Sequence, residues 1–171
     1  MFVCRRGTLF ALALSLVLLL SCSFALSAAS AAAVPANAPC IVLDAGHGGV
    51  DPGVVGRTTG EKESDVNLKI VQKLQKLFSD AGFCVVLTRK NAGGLYGLPT
   101  KGYKRRDMEE RRRIIREAEP DFVLSVHQNT FPADTSRRGG QVFFREGGAA
   151  GEALAVSIQA RLNALGGRSV S

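Results

Sequence analysis

Short apolar runs recur along the chain and predict the strands of a sheet. They lie at residues 41–44, 83–88, 121–126 and 141–144. The runs at 41–43 and 122–126 lack the polar alternation of a strand with one wet face. This is typical of strands that are covered on both faces.

Between the first two strands, helical periodicity predicts an amphipathic helix. Its apolar face is formed by Val66, Ile70, Val71, Leu74, Leu77 and Phe78. Ser64 or Asp65 is expected to cap the start of this helix through its side chain. Gly82 is expected to end it in the left-handed conformation that glycine tolerates.

Two further helices are predicted. The first covers residues 107–117 and ends before Pro120, and the second covers residues 149–165. The inward face of the second is formed by Leu154, Ile158, Leu162 and Leu165. Alternating strands and helices imply parallel strands joined by right-handed crossovers. The expected fold is a three-layer α/β/α structure with a mostly parallel sheet.

Residues 1–33 have the pattern of an export signal. Arg5 and Arg6 precede an apolar run at 9–26, and small residues follow it. This order is typical of a cleaved signal peptide, although the run also approaches the length of a membrane span. A signal peptide and an uncleaved N-terminal anchor both place the rest of the chain outside the cytoplasm.

After this segment, residues 34–39 are interpreted as a linker and residues 40–171 as one domain. The chain of 171 residues is 46% hydrophobic and 22% charged, which is ordinary for a globular protein. Its formal net charge of +7 falls to about +5 without residues 1–33. A mildly basic exported domain suits an anionic cell wall or membrane surface, and a charge of this size equally suits a domain with no specific acidic partner. Membrane contact is expected only through the N-terminal segment, if it stays uncleaved.

The basic residues between Arg105 and Arg116 would also suit a nucleic acid. Acidic residues interleave with them at Glu109 and Glu110, and Glu117 follows. This pattern favours a solvated helix with ion pairs four residues apart. Together with the predicted export, it leads us to expect no nucleic-acid partner.

Two of the four cysteines, Cys40 and Cys84, lie in the domain. The chain has no Cys-x-x-Cys pair, which excludes a cysteine-based zinc site. Each of the two cysteines opens a predicted strand. If these strands are parallel neighbours, a disulfide is geometrically feasible outside the cell. The alternative is two buried thiols that act as small hydrophobic groups.

The only two histidines, His47 and His127, each follow the carboxyl end of a predicted parallel strand. Ligand sites of open α/β sheets form at that edge, so we expect the two side chains to meet in space. A zinc site in a hydrolase takes three protein ligands and leaves one position open, so two imidazoles require a carboxylate. Geometry alone does not choose among the candidate carboxylate ligands, which are Asp44, Asp51, Glu61, Glu63 and Asp65.

Three ordered motifs resemble those of the zinc-dependent N-acetylmuramoyl-L-alanine amidases of type 3. Residues 41–53 contain the run Asp-Ala-Gly-His-Gly-Gly, residues 63–68 place a glutamate four residues before Asn-Leu, and residues 125–129 read Ser-Val-His-Gln-Asn. By position, the zinc ligands of that family correspond to His47, Glu63 and His127. Residues 103–108 also resemble the sporulation and germination branch of the family. The resemblance covers about residues 40–165.

The resemblance implies hydrolysis of the amide between the lactyl group of N-acetylmuramic acid and L-alanine in peptidoglycan. Zinc in such a site lowers the pKa of bound water to about 7 and polarises the scissile carbonyl. Peptidoglycan lies outside the cytoplasm, in agreement with the predicted export. Asp44 and Asn129 are candidates for orienting the histidines, and the alternative for each is ordinary loop capping.

One motif of the family has no counterpart in this sequence. In the family, a last core strand ends in a glutamate that acts as general base, whereas Glu146 and Glu152 lie before or within the last predicted helix and not on a later strand. The catalytic base is therefore unassigned. We expect a chain that is truncated, with the C-terminal part of the fold missing, or a shortened zinc-binding relative that binds the wall without efficient turnover. A zinc peptidase of another kind has no support in the motif order.

Overall fold

The computed structural model describes residues 37–131, 133–134 and 139–165. All of them belong to one compact unit that begins at Asn37. The predicted export segment, residues 1–33, lies outside the described residues, and so does the first half of the predicted linker. Within the described part, no helix is both long and apolar enough to cross a membrane.

Strands and helices alternate in the described part of the chain, as predicted. The strands are β1 (Cys40–Ala45), β2 (Cys84–Leu87) and β3 (Phe122–Val126). The helices are α1 (Glu63–Asp80), α2 (Tyr103–Ala118) and α3 (Ala149–Ala164). The strands form one parallel sheet in the order β2-β1-β3. This arrangement confirms the predicted α/β class.

The central strand β1 is buried on both faces. Its residues with no exposed surface are Ile41, Val42, Leu43 and Ala45. The side chains on one face form a core with Val71 of α1 and Leu87 of β2. Because successive strand residues point to opposite faces, Asp44 belongs to the other face, where Arg111 of α2 contacts it. Helices thus cover both faces, which explains the absence of polar alternation in β1.

The start of α1 differs from the prediction. Ser64 and Asp65 lie inside the first turn, and no side chain caps the helix. The preceding loop replaces the cap, because the amide of Glu63 donates to the carbonyl of Val54 at 2.8 Å and that of Ser64 to Pro52 at 3.0 Å. The predicted side-chain cap was therefore wrong, since backbone carbonyls already satisfy the amides of the first turn.

The apolar face of α1 is narrower than the sequence predicted. Val71 is fully buried, and Leu74 and Phe78 pack against the same core, but Leu77 is 64% exposed. Leu77 lies about 120° round the helix from Val71, beyond the stripe that faces the sheet. The helix ends as predicted, because Gly82 follows it with φ +87°.

The predicted fourth strand, residues 141–144, is not a strand. The amide of Val142 donates to Oε1 of Gln159 at 2.9 Å, and Nε2 of Gln159 donates to the carbonyl of Gly140 at 2.9 Å. Phe143 and Phe144 are exposed. An apolar run forms a strand only where another strand supplies hydrogen bonds, and the described part of the chain offers this run none.

Helix α3 forms close to the predicted bounds, but its predicted inward face was wrong. Its buried residue is Ala155, whereas Leu154 is 39% and Leu165 84% exposed. Ile158 and Leu162 are half-buried. The helix makes few contacts with the described strands and with α1 and α2, so its leucines have little core to enter.

Substitution of Val71 by alanine tests this core. The change removes two methyl groups from a fully buried position and is expected to lower the free energy of unfolding by roughly 2 kcal/mol. Urea unfolding followed by circular dichroism measures the difference. Leu77→Ala on the same helix is the matched control, with an expected change within about 0.5 kcal/mol. Equal losses for the two variants would contradict the assignment of the inward face of α1.

Candidate metal centre

Three segments meet at the carboxyl edge of the sheet. His47 follows β1, His127 follows β3, and Glu63 is the first residue of α1. The amide of Gly46 extends the pairing of β1 with β3 by donating to the carbonyl of Val126 at 3.1 Å. The two histidines therefore lie side by side, with ring centroids 4.9 Å apart and an interplanar angle of 80°.

The carboxylate of Glu63 lies between the two imidazoles. Its Oε1 is 3.2 Å from Nε2 of His47 and 3.0 Å from Nδ1 of His127. One potential ligand atom from each residue lies within 4.8 Å of the others. Glu63 is buried, whereas 47% of the His127 side chain is exposed. The group is therefore closed on the Glu63 side and open to solvent beside His127.

Backbone amides hold the Glu63 carboxylate in place and keep it ionised. The amide of Val54 donates to Oε2 and that of Gln128 to Oε1, both at 2.9 Å. Burial alone would raise the pKa of Glu63, but these two amides and the ring of His127 hold the pKa below its ordinary value. The fully buried Asn67 adds a longer hydrogen bond, from Nδ2 to Oε1 at 3.4 Å.

Asp51 orients the imidazole of His47. Its Oδ2 lies 3.0 Å from Nδ1 of His47, and Nζ of Lys104 lies 3.5 Å from its Oδ1. Burial would raise the pKa of Asp51, but the bonds from His47 and from the amide of Gly53 hold it below its ordinary value. An ionised Asp51 favours the tautomer in which Nδ1–H of His47 donates a hydrogen bond to it, and this tautomer leaves Nε2 unprotonated for a metal ion.

Two glycines leave room for the site side chains. A Cβ on Gly46 would lie 2.2 Å from Cε1 of His127. A Cβ on Gly53 would lie 2.5 Å from Oε2 of Glu63 and 2.7 Å from Cδ2 of His47, and φ of Gly53 is +66°. Any larger residue at these positions would displace a side chain of the candidate centre.

Two buried arginines hold the backbone that leads to His47. Arg111 donates to the carbonyls of Ala45 at 2.9 Å and His47 at 2.7 Å. Arg89 donates to the carbonyls of Ala45 at 2.8 Å and Gly46 at 3.2 Å. Both arginines are at most 3% exposed. Guanidinium groups thus replace a neighbouring strand where the backbone leaves the sheet.

Among the described residues, Asp44 and Asn129, the two residues expected to orient the histidines, form no hydrogen bond with either histidine. Asp44 accepts hydrogen bonds from Thr88 at 2.6 Å, Ser125 at 2.7 Å and Arg111. Burial would raise the pKa of Asp44, but the charge of Arg111 and these hydrogen bonds hold it below its ordinary value. Asn129 is exposed. The side chain of Asp44 lies on the face of the sheet that α2 covers. It therefore pairs with Arg111 and not with a histidine.

Several residues around the centre were missed in the sequence. Asp51 was considered only as a ligand, although it lies four residues after His47. Asn67 lies four residues after Glu63, on the same face of α1, and a buried amide beside a carboxylate follows from that spacing. Arg89, at the end of a predicted strand, carried no signal of its own.

The charged helix α2 was predicted to be a solvated surface, and most of its charges agree. Exposed pairs join Arg105 to Glu109 and Arg113 to Glu110 and Glu117. Arg111 is the exception, because it enters the interior and pairs with Asp44 and Asp107. The spacing of four residues between Asp107 and Arg111 was the available signal, but exposed pairs share it.

The donor set can hold a metal ion. Two imidazole nitrogens and one carboxylate oxygen are typical ligands of a three-ligand zinc site, which keeps one position open. The hydrogen bond from His47 to Asp51 and the amides on Glu63 supply the outer contacts that such ligands usually make. Glycine at positions 46 and 53 avoids the clashes that a Cβ would make with the three side chains. The residues present therefore fit a metal ion.

Sequence comparison places the chain in a known family. The model of the N-acetylmuramoyl-L-alanine amidase family, type 3, matches residues 41–170, so the chain belongs to this family. It is 34% identical over 132 residues to the germination-specific N-acetylmuramoyl-L-alanine amidase of Bacillus subtilis, covering 75% of this chain and 54% of that protein. It is 30% identical to N-acetylmuramoyl-L-alanine amidase AmiA of Escherichia coli, over 72% of this chain and 38% of the relative.

Solved structures show the same fold. The CwlD amidase of Clostridioides difficile, determined in complex with the GerS lipoprotein, matches with a TM-score of 0.67 at 32% identity, over 74% of this chain and 66% of that one. An N-acetylmuramoyl-L-alanine amidase of Clostridium difficile 630 matches with a TM-score of 0.59 at 26% identity, over 73% and 62% of the two chains. The predicted family and fold are confirmed. The chain spans about half the length of the Bacillus relative.

Substitution of Arg111 by glutamine tests the buried ion pair behind the site. The variant leaves Asp44 buried without its cation, which is expected to cost about 3–5 kcal/mol of unfolding free energy at pH 7. The low pKa of Asp44 in the folded protein means that the pair stabilises above the ordinary aspartate pKa of about 3.9 and that this contribution is lost as the pH falls below it. The deficit of the variant should therefore shrink below about pH 4.

Urea unfolding at pH 7 and at several lower pH values measures both effects. Arg113→Gln on the same helix is the matched control, because Arg113 is exposed and pairs with Glu110 and Glu117 on the surface of the helix. Its unfolding midpoint should stay close to that of the parent protein. A deficit for Arg111→Gln that is equally large at pH 3 and pH 7 would contradict the assigned role of the pair.

Proposed function

We propose that His47, Glu63 and His127 bind a zinc ion and that the protein acts on peptidoglycan as an N-acetylmuramoyl-L-alanine amidase. The supporting observation is the convergence of both imidazoles on one oxygen of Glu63, at 3.2 and 3.0 Å, in a chain of this family. Two imidazoles and a buried carboxylate, with one side open to solvent, suit a metal ion that must also reach a substrate.

The residues of the chain prepare this site for hydrolysis. Bound zinc supplies Lewis acidity to the scissile carbonyl and to the attacking water. Asp51 holds the Nδ1 proton of His47, so that Nε2 is free to act as a ligand. The amides of Val54 and Gln128 keep Glu63 ionised. The substrate approaches beside His127, the most exposed of the three ligands.

The proposed substrate is the amide between the lactyl group of N-acetylmuramic acid and L-alanine. Its support is the family itself and the names of the relatives, which describe N-acetylmuramoyl-L-alanine amidases. The signal-like residues 1–33 support action outside the cytoplasm, in the wall or periplasm. The germination-specific relative in Bacillus subtilis supports a role in sporulation or germination.

A wall-binding module that keeps the metal without turnover is the second candidate. Among the described residues, the carboxylates that contact the histidines are Glu63 and Asp51. Both already have a task, one as a ligand and the other as the partner of His47. The described part therefore shows no separate carboxylate at the histidines to act as general base, and this observation favours the second candidate.

Zinc content tests the ligand assignment. The full chain, loaded with zinc and dialysed, is expected to retain about one ion per molecule. His127→Ala removes a ligand from the open side of the site, so the variant should lose most of its zinc while circular dichroism shows the fold retained. Elemental analysis of the dialysed proteins measures the content.

Two controls sharpen this experiment. Asn129→Ala alters an exposed residue beside the same strand end and should leave the zinc content unchanged. Asp51→Asn keeps all three ligands but weakens the orientation of His47, so it should lower zinc affinity by about 10–100-fold. Stoichiometric zinc in dialysed His127→Ala would refute the assignment.

Incubation with purified peptidoglycan separates the two candidate functions. The amidase proposal expects the zinc-loaded full chain to release peptides with a new N-terminal L-alanine, detected by amine labelling and mass spectrometry. His127→Ala should reduce that release by at least about 100-fold, since the metal is essential to the proposed reaction. If the parent protein sediments with peptidoglycan but releases no peptide, the wall-binding candidate replaces the amidase.

A further inference from the structure

Cys40 and Cys84 form a pair at the amino-terminal ends of their strands, whereas the metal centre lies at the carboxyl-terminal ends. They are the first residues of β1 and β2 and are register partners in the parallel pairing. Their sulfur atoms are 3.2 Å apart, and both residues are half-buried free thiols. The pair is thus preformed by the backbone and remains accessible to small reagents.

The backbone holds the two cysteines at a distance that suits a covalent bond. Neighbouring strands lie about 4.8 Å apart, within the range of Cα separations that disulfides accept. The amide of Cys84 donates to the carbonyl of Pro39 at 3.0 Å, and that of Cys40 donates to Oδ2 of Asp121 at 2.6 Å. Bond formation requires the sulfur atoms to approach from 3.2 Å to about 2.05 Å, a movement that side-chain rotation supplies.

We propose that Cys40 and Cys84 are an oxidation site that becomes an intrachain disulfide when the protein meets a disulfide reagent outside the reducing cytoplasm. The two thiols lie in the part of the chain that follows the export-like segment, and disulfides persist in exported proteins. The proposal does not depend on the function of the metal centre, which lies at the other end of β1.

The reaction is a thiol–disulfide exchange that balances with one molecule of oxidant. The thiolate of one cysteine attacks a sulfur of the exogenous disulfide, forms a mixed disulfide and expels one thiolate of the reagent. The second cysteine then attacks the protein sulfur of that mixed disulfide and expels the other half of the reagent. The two cysteine protons end on the two released thiols, and two electrons pass from the protein to the reagent.

Local chemistry sets the pH dependence of this exchange. Burial, followed by the hydrogen bond and electrostatic interaction with Cys84 and by the negative charge of Asp121, raises the pKa of Cys40 to about 11. The thiolate is the reacting form, and a raised pKa makes it scarce at neutral pH. Bond closure should therefore accelerate as the pH rises from 7 towards 9.

The disulfide would close a loop that contains two of the proposed zinc ligands. The two cysteines are 44 positions apart, and the intervening chain carries His47 and Glu63. Closing the loop restricts the unfolded chain and is expected to raise the melting temperature by about 10 °C. The zinc content should not change, because the bond forms at the edge of the sheet away from the ligands.

The test uses the full chain with Cys4→Ser and Cys22→Ser, so that only the pair remains. The protein is incubated with glutathione disulfide and alkylated, and its peptides are mapped without reduction. The expected result is a linked pair of peptides that contain Cys40 and Cys84. Before alkylation, the mass of the oxidised protein should be about 2 Da below that of the reduced protein. The melting temperature should be higher, and dithiothreitol should reverse this increase.

Cys84→Ser and Cys84→Ala in the same background are the matched controls. They should show no linked peptides and no shift of the melting temperature on oxidation, and two replacements guard against a folding defect specific to one of them. Accumulation of a stable mixed disulfide with glutathione, without linked peptides, would overturn the proposal. A linked protein with a lowered melting temperature would also overturn it. Zinc content is recorded in parallel, so failure of the metal proposal remains a separate result.

Discussion

The end of β1 depends on two buried guanidinium groups. At the end of β1, the carbonyls of Ala45, Gly46 and His47 have no neighbouring strand that donates hydrogen bonds to them. A buried carbonyl without a donor is costly. Arg89 and Arg111 supply the missing donors, from the end of β2 and from α2 respectively. The turn that carries His47 is consequently tied to both layers around the sheet. This fixed turn is what allows a histidine with φ +62° to face the start of α1.

Arg111 and Glu63 are buried to a similar extent, but different partners stabilise their charges. Arg111 is balanced by Asp44 and Asp107, and these partners raise its pKa although burial lowers it. Glu63 has no arginine or lysine partner in the described part and is held instead by neutral amides and by the imidazoles. A carboxylate stabilised by amides keeps its charge available for a cation. The interior thus separates a permanent ion pair, which stabilises the fold, from a carboxylate that can still bind a metal.

The sequence predicted the candidate centre well because histidines directly after parallel strands have few structural roles. Two histidines after two parallel strands had to share a sheet edge, and the structure brings them together with Glu63. The residue that orients His47 was harder to predict, because Asp44 and Asp51 both lie within four residues of His47. Strand alternation turns Asp44 away from the histidine, whereas the loop returns Asp51 to it. The predicted strand at 141–144 and the predicted inward face of α3 were wrong for another reason. Their apolar residues require packing or pairing partners that periodicity does not identify.

The candidate centre depends on strand register more than on any single contact. His47 and Glu63 belong to one continuous stretch, but His127 reaches them only because Ala45 pairs with Val126. A slip of one residue between β1 and β3 would turn His127 to the opposite face of the sheet. The missing side chain of Gly46 provides the complementary constraint, since the imidazole of His127 occupies the space that a Cβ would need. The register brings His127 to the other two ligands, and Gly46 leaves room for its imidazole, so these two backbone features determine whether the three ligand atoms can meet.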